Sequence, residues 1–277
     1  MSSDANERID RILADIKSIR VQGAENVARA GIKAFLLDPT KANAKRIVSV
    51  RATEPLLQNA IKVLLKSKNK RASAKAFLEE LSNSHDTISK FGSTLVKGNI
   101  NIYTHCHSST VIDILRMAKS KKRRFIVYTT EVEPLLQGRM TAKDLDKEGV
   151  KVIIAPDMAA EQILRKCDLL LFGVDAFTNT AVCNKIGTET LCRLAKHYRI
   201  PRYACGVSMK ATWKVKIEQR KGREVWDERK KNIKVVYPAF DKVNYKLISG
   251  IISEFGILKP KSFSKKAKRK LKKMSSI

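Results

Sequence analysis

From Gly98 onward, short apolar segments alternate with segments of helical periodicity, and this alternation constrains the fold more than any other feature of the sequence. Strand–helix alternation at this spacing predicts a parallel sheet with helices on both faces. The predicted strands are 100–104, 125–129, 150–155, 169–173 and 202–205, and the predicted helices are 109–121, 141–148, 158–167, 185–199 and 243–255. In such sheets ligands bind at the carboxyl ends of the strands, so we look for functional residues there.

The residues that precede the sheet have helical periodicity and predict a separate helical domain over 1–97. Its four predicted helices begin near Asp4, near Ala24 after the Gln22–Gly23 turn, at Thr53 as N-cap, and near Lys70. The sequence therefore predicts an α/β chain, in which a helical domain is followed by a Rossmann-like parallel-sheet domain over 98–258.

The chain is strongly basic, since 56 Lys and Arg against 27 Asp and Glu give a net charge of +29. Phosphorylated ligands, nucleic acid and anionic surfaces are all attracted to such a chain. The segment 259–277 contains nine of these basic residues and no acid. We predict that it is a solvated, mostly disordered tail with weak affinity for polyanions such as RNA.

Other features of the sequence favour a cytoplasmic protein without a membrane segment. No apolar run approaches the roughly 18 residues that a membrane span needs. The N-terminus, Met1 to Asp4, lacks the apolar centre of a signal peptide. The five cysteines are an odd number at irregular spacing, which favours reduced thiols over a disulfide framework.

The first predicted strand ends in the sequence THCHSST and runs directly into a helix. Ser108, Ser109 and the amides beside them form a candidate anion site at the N-terminus of that helix. Cys106 lies between two histidines and close to the same helix N-terminus. The helix dipole and protonated histidines both favour a thiolate, so Cys106 is a candidate base or nucleophile with a lowered pKa. Two alternatives are a small buried cysteine and a metal held by His105 and His107, for which no third ligand is evident.

Three further groups follow later predicted strands. Asp175 comes after Gly173 at the end of the fourth strand, where it is a candidate acid or base or, alternatively, the cap of a turn. Asn184 and Lys185 precede a helix and could hold a phosphate or hydroxyls, or simply mark an ordinary helix start. Lys210 follows the fifth strand and adds a cation to the same edge of the sheet.

Five segments of the chain together resemble one family, the alpha/beta/delta subunit family of eukaryotic translation initiation factor 2B with its archaeal relatives. They are THCHSSTV, TTEVEPLLQGRMTAKDL, GVDAFTN, NKIGT and ISGIISEFGI, and the resemblance extends to about Lys259. The same superfamily contains ribose 1,5-bisphosphate isomerase and methylthioribose-1-phosphate isomerase. The resemblance implies a helical domain, a Rossmann-like domain and a sugar phosphate bound between them.

Within the superfamily, the THCHSS segment is most similar to the ribose 1,5-bisphosphate isomerases. The resemblance implies that Cys106 is the catalytic base and Asp175 the catalytic acid. It also implies a phosphate loop at the Gly23–Ala24 turn and a phosphate contact from Arg51. The full set of implied substrate contacts is Gly23, Ala24, Arg51, Ser108, Ser109, Thr110, Asn184, Lys185 and Lys210.

Two departures from the isomerase pattern keep a second function open. Gln22 occupies the position of an arginine in the phosphate loop, and Glu133 replaces an arginine in the TTEVEP segment. Each replacement removes an arginine, which can donate two hydrogen bonds to one phosphate, and Arg20 or a lysine is a candidate substitute. The first hypothesis is an isomerase that converts ribose 1,5-bisphosphate to ribulose 1,5-bisphosphate. The alternative is a non-catalytic, initiation factor 2B-like regulatory subunit that binds a sugar phosphate or nucleotide and contacts initiation factor 2 or RNA.

The sequence contains neither the G-x-G-x-x-G fingerprint nor a P-loop, so we expect no nicotinamide cofactor and no hydrolysis of nucleoside triphosphates. We also expect no required metal. The expected partners are a phosphorylated sugar and further copies of the chain, since the family resemblance implies a symmetric dimer or hexamer.

Overall fold

The computed structural model describes residues 3–51, 53–213, 215, 217, 219–228 and 230–274. In the N-terminal part, amphipathic helices pack their apolar faces together. Leu57, Ile61 and Leu64 of the fourth helix, for example, are fully or almost fully buried at helical spacing. The helices are α1 (Ser3–Lys17), α2 (Ala24–Leu37), α3 (Lys41–Ser49), α4 (Pro55–Lys66) and α5 (Lys70–Ser93).

Helix α3 was absent from the sequence prediction, and the start of α4 differs from it. Thr40 caps α3, because its side chain accepts a hydrogen bond from the amide of Asn43. The Asn43 side chain then donates to the carbonyls of Ala34 and Asp38 at 3.1 and 2.8 Å, which ties α3 to the end of α2. The N-cap position of α4 is held by Glu54 rather than Thr53, and no side-chain cap is formed there.

The predicted parallel sheet is present, so the fold is α/β. Within the described residues its strand order is β12–β11–β7–β4–β1–β2–β3, and the pairs are parallel except for β11 with β12. The strands are β1 (Ile100–His105), β2 (Phe125–Thr130), β3 (Lys151–Ala155), β4 (Leu169–Gly173), β7 (Arg202–Cys205), β11 (Gly250–Ser253) and β12 (Gly256–Leu258). The sheet strands not predicted are β11 and β12.

Both faces of the central sheet are buried, which explains the apolar runs in the sequence. Leu169 and Leu171 of β4 pack on the side of the N-terminal helices, whereas Leu170 and Phe172 pack on the opposite side. Successive side chains of a strand point to opposite faces, so both sets must be apolar. The helices that connect or flank the strands are α6 (Ser109–Ser120), α7 (Gln137–Lys147), α8 (Ala160–Leu164) and α9 (Thr188–His197).

A second sheet follows β4 and replaces part of two predicted helices. It consists of β5 (Ala176–Phe177), β6 (Ala181–Lys185) and β10 (Phe240–Asn244), joined in antiparallel fashion, with β6 in the middle. Helix α9 therefore begins three residues later than predicted, at Thr188. A short hairpin, β8 (Gln219–Arg220) with β9 (Tyr237–Pro238), lies between β7 and β10 in the sequence.

The helix predicted over 243–255 is wrong. Its residues end β10, form a 3-10 turn (Tyr245–Leu247) and then form β11, all four residues of which are buried. A strand that is buried on both faces is apolar at every position, so its periodicity resembles that of a buried helix.

The prediction of a disordered tail is also wrong for residues 260–274. They form α10 (Pro260–Met274), in which Phe263 is fully buried and Ala267 is almost so. The ring of Phe263 packs against Phe177 with 4.3 Å between centroids. Lys270 of the same helix pairs with Glu254 at 2.8 Å. The helix forms because its buried apolar residues, together with this ion pair, outweigh the repulsion among the lysines. Residues 275–277 of the predicted tail lie outside the described residues.

Among the helices of the described residues, none has both the length and the apolar character required to cross a membrane.

All five cysteines are free thiols, as predicted, and the structure shows that all five are also buried. One of them, Cys106, directly follows the end of β1.

Candidate functional site

A cavity of about 90 Å³ lies where the N-terminal helices meet the carboxyl ends of the strands. The turn before α2 and the segment before α4 contribute to one wall, the ends of β1 and β4 to another, and β6 to a third. The residues of the sequence prediction that line it are Gly23, Arg51, Cys106, Asp175, Asn184 and Lys185. Residues separated by more than 150 positions are thus brought to one place.

Other predicted contacts lie behind the cavity wall. Ser108 is the N-cap of α6, where its hydroxyl accepts a hydrogen bond from the amide of Val111 at 3.4 Å. It also lies so close to Gly173 that a Cβ atom there would be 2.5 Å from the Ser108 hydroxyl, so the strand end needs glycine. The predicted residues that do not line the cavity in this structure are Ala24, Ser108, Ser109, Thr110 and Lys210.

Cys106 is held in a strained position with its thiol protonated. Its φ of 65° lies in the left-handed region, which is unusual for a residue other than glycine. Its carbonyl accepts a hydrogen bond from the Thr141 hydroxyl at 2.9 Å, which fixes this conformation. Burial raises the pKa of the thiol to about 12, and the nearby Asp175 adds to the increase. The expected low-pKa thiolate is therefore wrong for the protein in this state.

The two histidines beside Cys106 do not supply the positive charge that the sequence suggested. Burial lowers the pKa of His105 to about 4, and it also lowers the pKa of His107. His105 Nε2 donates to the carbonyl of Ile186 at 2.8 Å, whereas His107 Nδ1 lies 3.2 Å from the Thr141 hydroxyl. His105 Nε2 and His107 Nδ1 thus have separate partners, and no group of three or more metal-binding side chains occurs in the part of the chain that the structure describes.

Asp175 is a partly buried carboxyl group with three cations near it. Burial raises its pKa, and the charges of Lys210, Arg51 and Lys185 oppose that increase. Lys210 does not line the cavity, but its ammonium donates to the carbonyl of Val174 at 2.6 Å and so lies directly behind the aspartate. Burial thus favours the protonated form of Asp175, whereas the neighbouring cations favour its anion.

Two cations of the cavity have neighbours that hold them in place. The Arg51 guanidinium pairs with Glu54 at 3.1 Å, and both side chains are buried. Lys185 donates to the hydroxyl of Tyr237, and burial lowers the pKa of its ammonium. These cations face an enclosed space, where their attraction for a phosphate is screened less than at the surface.

Sequence reasoning missed several residues of the cavity, among them Arg220 and Tyr237. They lie on β8 and β9, strands of two residues each, whose pairing no periodicity could indicate. Arg220 forms an ion pair with Glu224 at 2.8 Å and adds a third guanidinium or ammonium group to the lining. The basic residues between Lys214 and Lys234 were the only signal in the sequence.

Of the two residues that depart from the isomerase motifs, one lines the cavity and one does not, and the suggested substitute Arg20 lies outside it. Gln22 lines the cavity, so the missing arginine affects the wall directly. Arg20 pairs with Asp15 at 2.7 Å, with 70% of its side chain exposed, and is not among the lining residues. Glu133 is exposed, and its amide donates to Asp157 at 2.8 Å. Arg220, rather than Arg20, supplies the additional cation.

The arrangement combines an acid, a potential base and several fixed cations in one enclosed space. A protonated carboxyl and a thiol can each transfer a proton to or from a bound molecule. The cations can bind phosphate groups and stabilise negative charge that develops on oxygen. This set of groups fits proton transfer on a phosphorylated substrate.

Comparison with known proteins identifies one family, two similar isomerases and one similar solved structure. The model of the Initiation factor 2 subunit family matches residues 20–260. The chain is 30% identical to the ribose 1,5-bisphosphate isomerase of Methanocaldococcus jannaschii, over 88% of this chain and 89% of that protein. It is 32% identical to the methylthioribose-1-phosphate isomerase of Symbiobacterium thermophilum, over 69% and 60%. The crystal structure of the translation initiation factor eIF-2B of Pyrococcus horikoshii OT3 superimposes with a TM-score of 0.84 and 27% identity, over 92% of this chain and 98% of that one.

Proposed function

Because the chain belongs to the Initiation factor 2 subunit family, we propose that it is a sugar-phosphate isomerase that converts ribose 1,5-bisphosphate to ribulose 1,5-bisphosphate. The observation that carries the proposal is that Cys106 and Asp175 line the same cavity as Arg51 and Lys185. The name of the relative from Methanocaldococcus jannaschii supports this choice of substrate.

In the proposed binding mode, the cations hold the two phosphates at opposite ends of the cavity. Arg51 and the turn at Gly23 bind one phosphate from the side of the helices. Lys185 and Arg220 bind the other from the side of the strands. Asn184 contacts the hydroxyls between them. The cavity of about 90 Å³ is small for a pentose bisphosphate, so the β8–β9 hairpin with Arg220 and Tyr237 moves outward as substrate enters.

In the proposed reaction, the Cys106 thiol first loses its proton to solvent, and this loss is favoured by Lys185, whose charge already lowers the pKa of the thiol. Asp175 donates its proton to the ring oxygen, the bond from that oxygen to C1 breaks, and C1 becomes an oxocarbenium ion that keeps its phosphate. The Cys106 thiolate then removes the proton from C2, and the electron pair of that bond forms the C1–C2 double bond of an enol phosphate. The C2 hydroxyl gives its proton back to the Asp175 carboxylate while the Cys106 thiol returns its proton to C1, which gives the ketone at C2 with the phosphate still on C1; Lys185 stabilises the negative charge that develops on the C2 oxygen.

The test is a turnover assay with ribose 1,5-bisphosphate and the purified protein. We expect Cys106→Ser and Asp175→Asn each to reduce kcat by about 10²- to 10⁴-fold, the range of general acid–base catalysis. Cys192→Ser is the matched control, because Cys192 is a buried cysteine outside the cavity, and it should retain activity. Absence of turnover by the wild type, or equal turnover in Cys106→Ser, would exclude this mechanism.

The second candidate function is a non-catalytic subunit that binds a sugar phosphate or nucleotide as a signal. It is favoured by Gln22 in the cavity wall and by the protonated resting state of Cys106. Calorimetric titration with ribose 1,5-bisphosphate separates the two functions, since binding without turnover supports the regulatory one. Capture of initiation factor 2 subunits by the immobilised protein would support it further.

We also propose that the protein forms a symmetric oligomer, a dimer or a hexamer, through its Rossmann-like part. The mass in solution, measured by light scattering after size-exclusion chromatography, tests this directly. A mass of one chain at micromolar concentration would exclude it.

A further inference from the structure

Helix α10 has two faces of opposite character. Its inner face carries the buried Phe263 and Ala267, together with Lys270, which pairs with Glu254 at 2.8 Å and with Glu80 at 2.5 Å. Its outer face carries exposed basic side chains and no acid. They are Lys261, Lys265, Lys266, Lys268, Arg269, Lys272 and Lys273.

The exposed charges are dense and lie in order along the helix. Lys261, Lys265, Lys268 and Lys272 follow the i, i+4, i+7, i+11 spacing, so they form one row on a single side. From Lys261 to Lys273 the helix rises about 18 Å at 1.5 Å per residue. Like charges at this spacing repel one another, and the packing of Phe263 and Ala267 holds them in place nevertheless. A polyanion would relieve this repulsion along the whole row.

An aromatic side chain lies beside this row. Trp213 is 46% exposed, and the ammonium of Lys268 is 4.9 Å from the centre of its ring. An exposed ring next to a track of cations is the combination with which proteins bind single strands, because phosphates follow the cations and unpaired bases stack on the ring.

A membrane surface fits this helix less well than a nucleic acid does. A basic amphipathic helix binds a bilayer by inserting its apolar face among the lipids. The apolar face of α10 is already covered by the protein, since Phe263 packs against Phe177 and Phe255. Only the cationic face is accessible.

We propose that the outer face of α10, with Trp213 at its edge, binds a single-stranded nucleic acid through its phosphate backbone. Binding is independent of base sequence, because the contacts are lysine ammonium groups to phosphates. The surface is separate from the cavity, so this proposal stands or falls without the proposed isomerase activity.

The experiment measures the fluorescence anisotropy of a labelled 20-nucleotide oligouridylate with the full-length protein over a range of salt concentrations. The test variant changes Lys261, Lys265, Lys268 and Lys272 to Gln. The matched control changes four exposed lysines outside α10 to Gln and removes the same charge. These are Lys122, Lys143, Lys151 and Lys166.

We expect the α10 variant to bind at least about tenfold more weakly than the wild type, and the control to change less than about threefold. Since each phosphate contact contributes about 0.7 to the slope of log K against log salt for a single strand, the slope should fall by about 2 to 3 units in the α10 variant. Trp213→Leu should weaken binding by about fivefold or more. All variants should retain the circular dichroism and melting temperature of the wild type, and the α10 variant should retain its turnover of ribose 1,5-bisphosphate.

The proposal would be overturned if the α10 variant bound the oligouridylate as tightly as the wild type and with the same dependence of log K on log salt. An equal loss in the α10 variant and in the control would also overturn it, because it would show that net charge rather than this face attracts the strand. Unchanged affinity in Trp213→Leu would contradict the stacking contact and with it the preference for a single strand.

Discussion

Burial keeps the Cys106 thiol protonated, since it raises the pKa to about 12. Only about one molecule in 10⁴ would carry a thiolate at pH 8, and alkylating reagents react with the thiolate. We therefore expect iodoacetamide to modify Cys106 in the native protein at least about 100-fold more slowly than it modifies glutathione. Mass spectrometry after timed quenching measures this, with the protein in guanidinium chloride as the control in which all thiols react. Rapid stoichiometric labelling of native Cys106 would contradict the raised pKa.

Glu25 connects two helices through an ion pair with a histidine. Its carboxylate lies 3.1 Å from His85 Nε2, and the proximity of His85 lowers the pKa of Glu25 to about 2, with help from Arg29. Asp113 faces the other nitrogen of the same imidazole at 3.9 Å. A lowered pKa means that the contribution to stability is complete above pH 4.5 and is lost as the pH falls toward 2.

Glu25→Gln should therefore destabilise the protein by about 1 to 3 kcal/mol near pH 6. Urea unfolding between pH 6 and pH 3 measures the difference from the wild type, and that difference should shrink as the pH falls below 4.5. Glu79→Gln is the control, since Glu79 is 61% exposed and pairs only at 3.8 Å with Lys75. A difference that is independent of pH would show that the Glu25 carboxylate charge is not responsible.

At the scale of elements, the sequence predicts those strands that their own residues identify. The central strands are buried on both faces, and an apolar run between helical segments identifies such strands without any knowledge of their neighbours. Strand β11 has the same apolar character, but it follows another strand rather than a helix, so its run was interpreted as helical. Helix α3 has few apolar positions, since Asn43, Ala44 and Ile47 are its buried residues, and its periodicity was therefore too weak to see.

Helix α10 shows how a charged composition conceals a packed element. Phe263 is fully buried and its ring packs at a tilt against Phe177, which follows Asp175 by two residues. We expect Phe263→Ala to destabilise the protein by about 3 to 5 kcal/mol, the range for removing a buried aromatic side chain, and Phe263→Leu by about half as much. Urea unfolding monitored by circular dichroism measures both. If Phe263→Ala is as stable as the wild type, the helix is not packed at this point.

At the scale of the whole molecule, the cavity depends on contacts between distant parts of the chain. Cys106 and Asp175 could be predicted from the sequence, because each follows a predicted strand and the carboxyl ends of parallel strands lie at the same edge of a sheet. It could not supply Arg220 and Tyr237, because they reach the cavity through a hairpin with only two residues in each strand. Arg51 and Gly23 came only from the family resemblance, since no pattern in the helices indicates which turn faces the sheet.

The side chain of Asn59 links the helical part to the segment that follows β7, and this contact can be tested. Asn59 of α4 donates from its side-chain amide to the carbonyls of Met209 and Ala211, at 2.7 and 3.0 Å. These residues flank Lys210, whose charge acts on Asp175.

Asn59→Ala should leave both carbonyls without this donor and reduce the free energy of unfolding by about 1 to 3 kcal/mol. Because Arg51 and Lys210 are then less firmly positioned against each other, we also expect KM for the sugar phosphate to rise more than kcat falls. Urea unfolding and steady-state kinetics measure the two effects. Asn83→Ala, on the exposed surface of α5, is the control and should change stability by less than about 0.5 kcal/mol. Equal behaviour of the two variants would show that α4 is positioned by apolar packing alone.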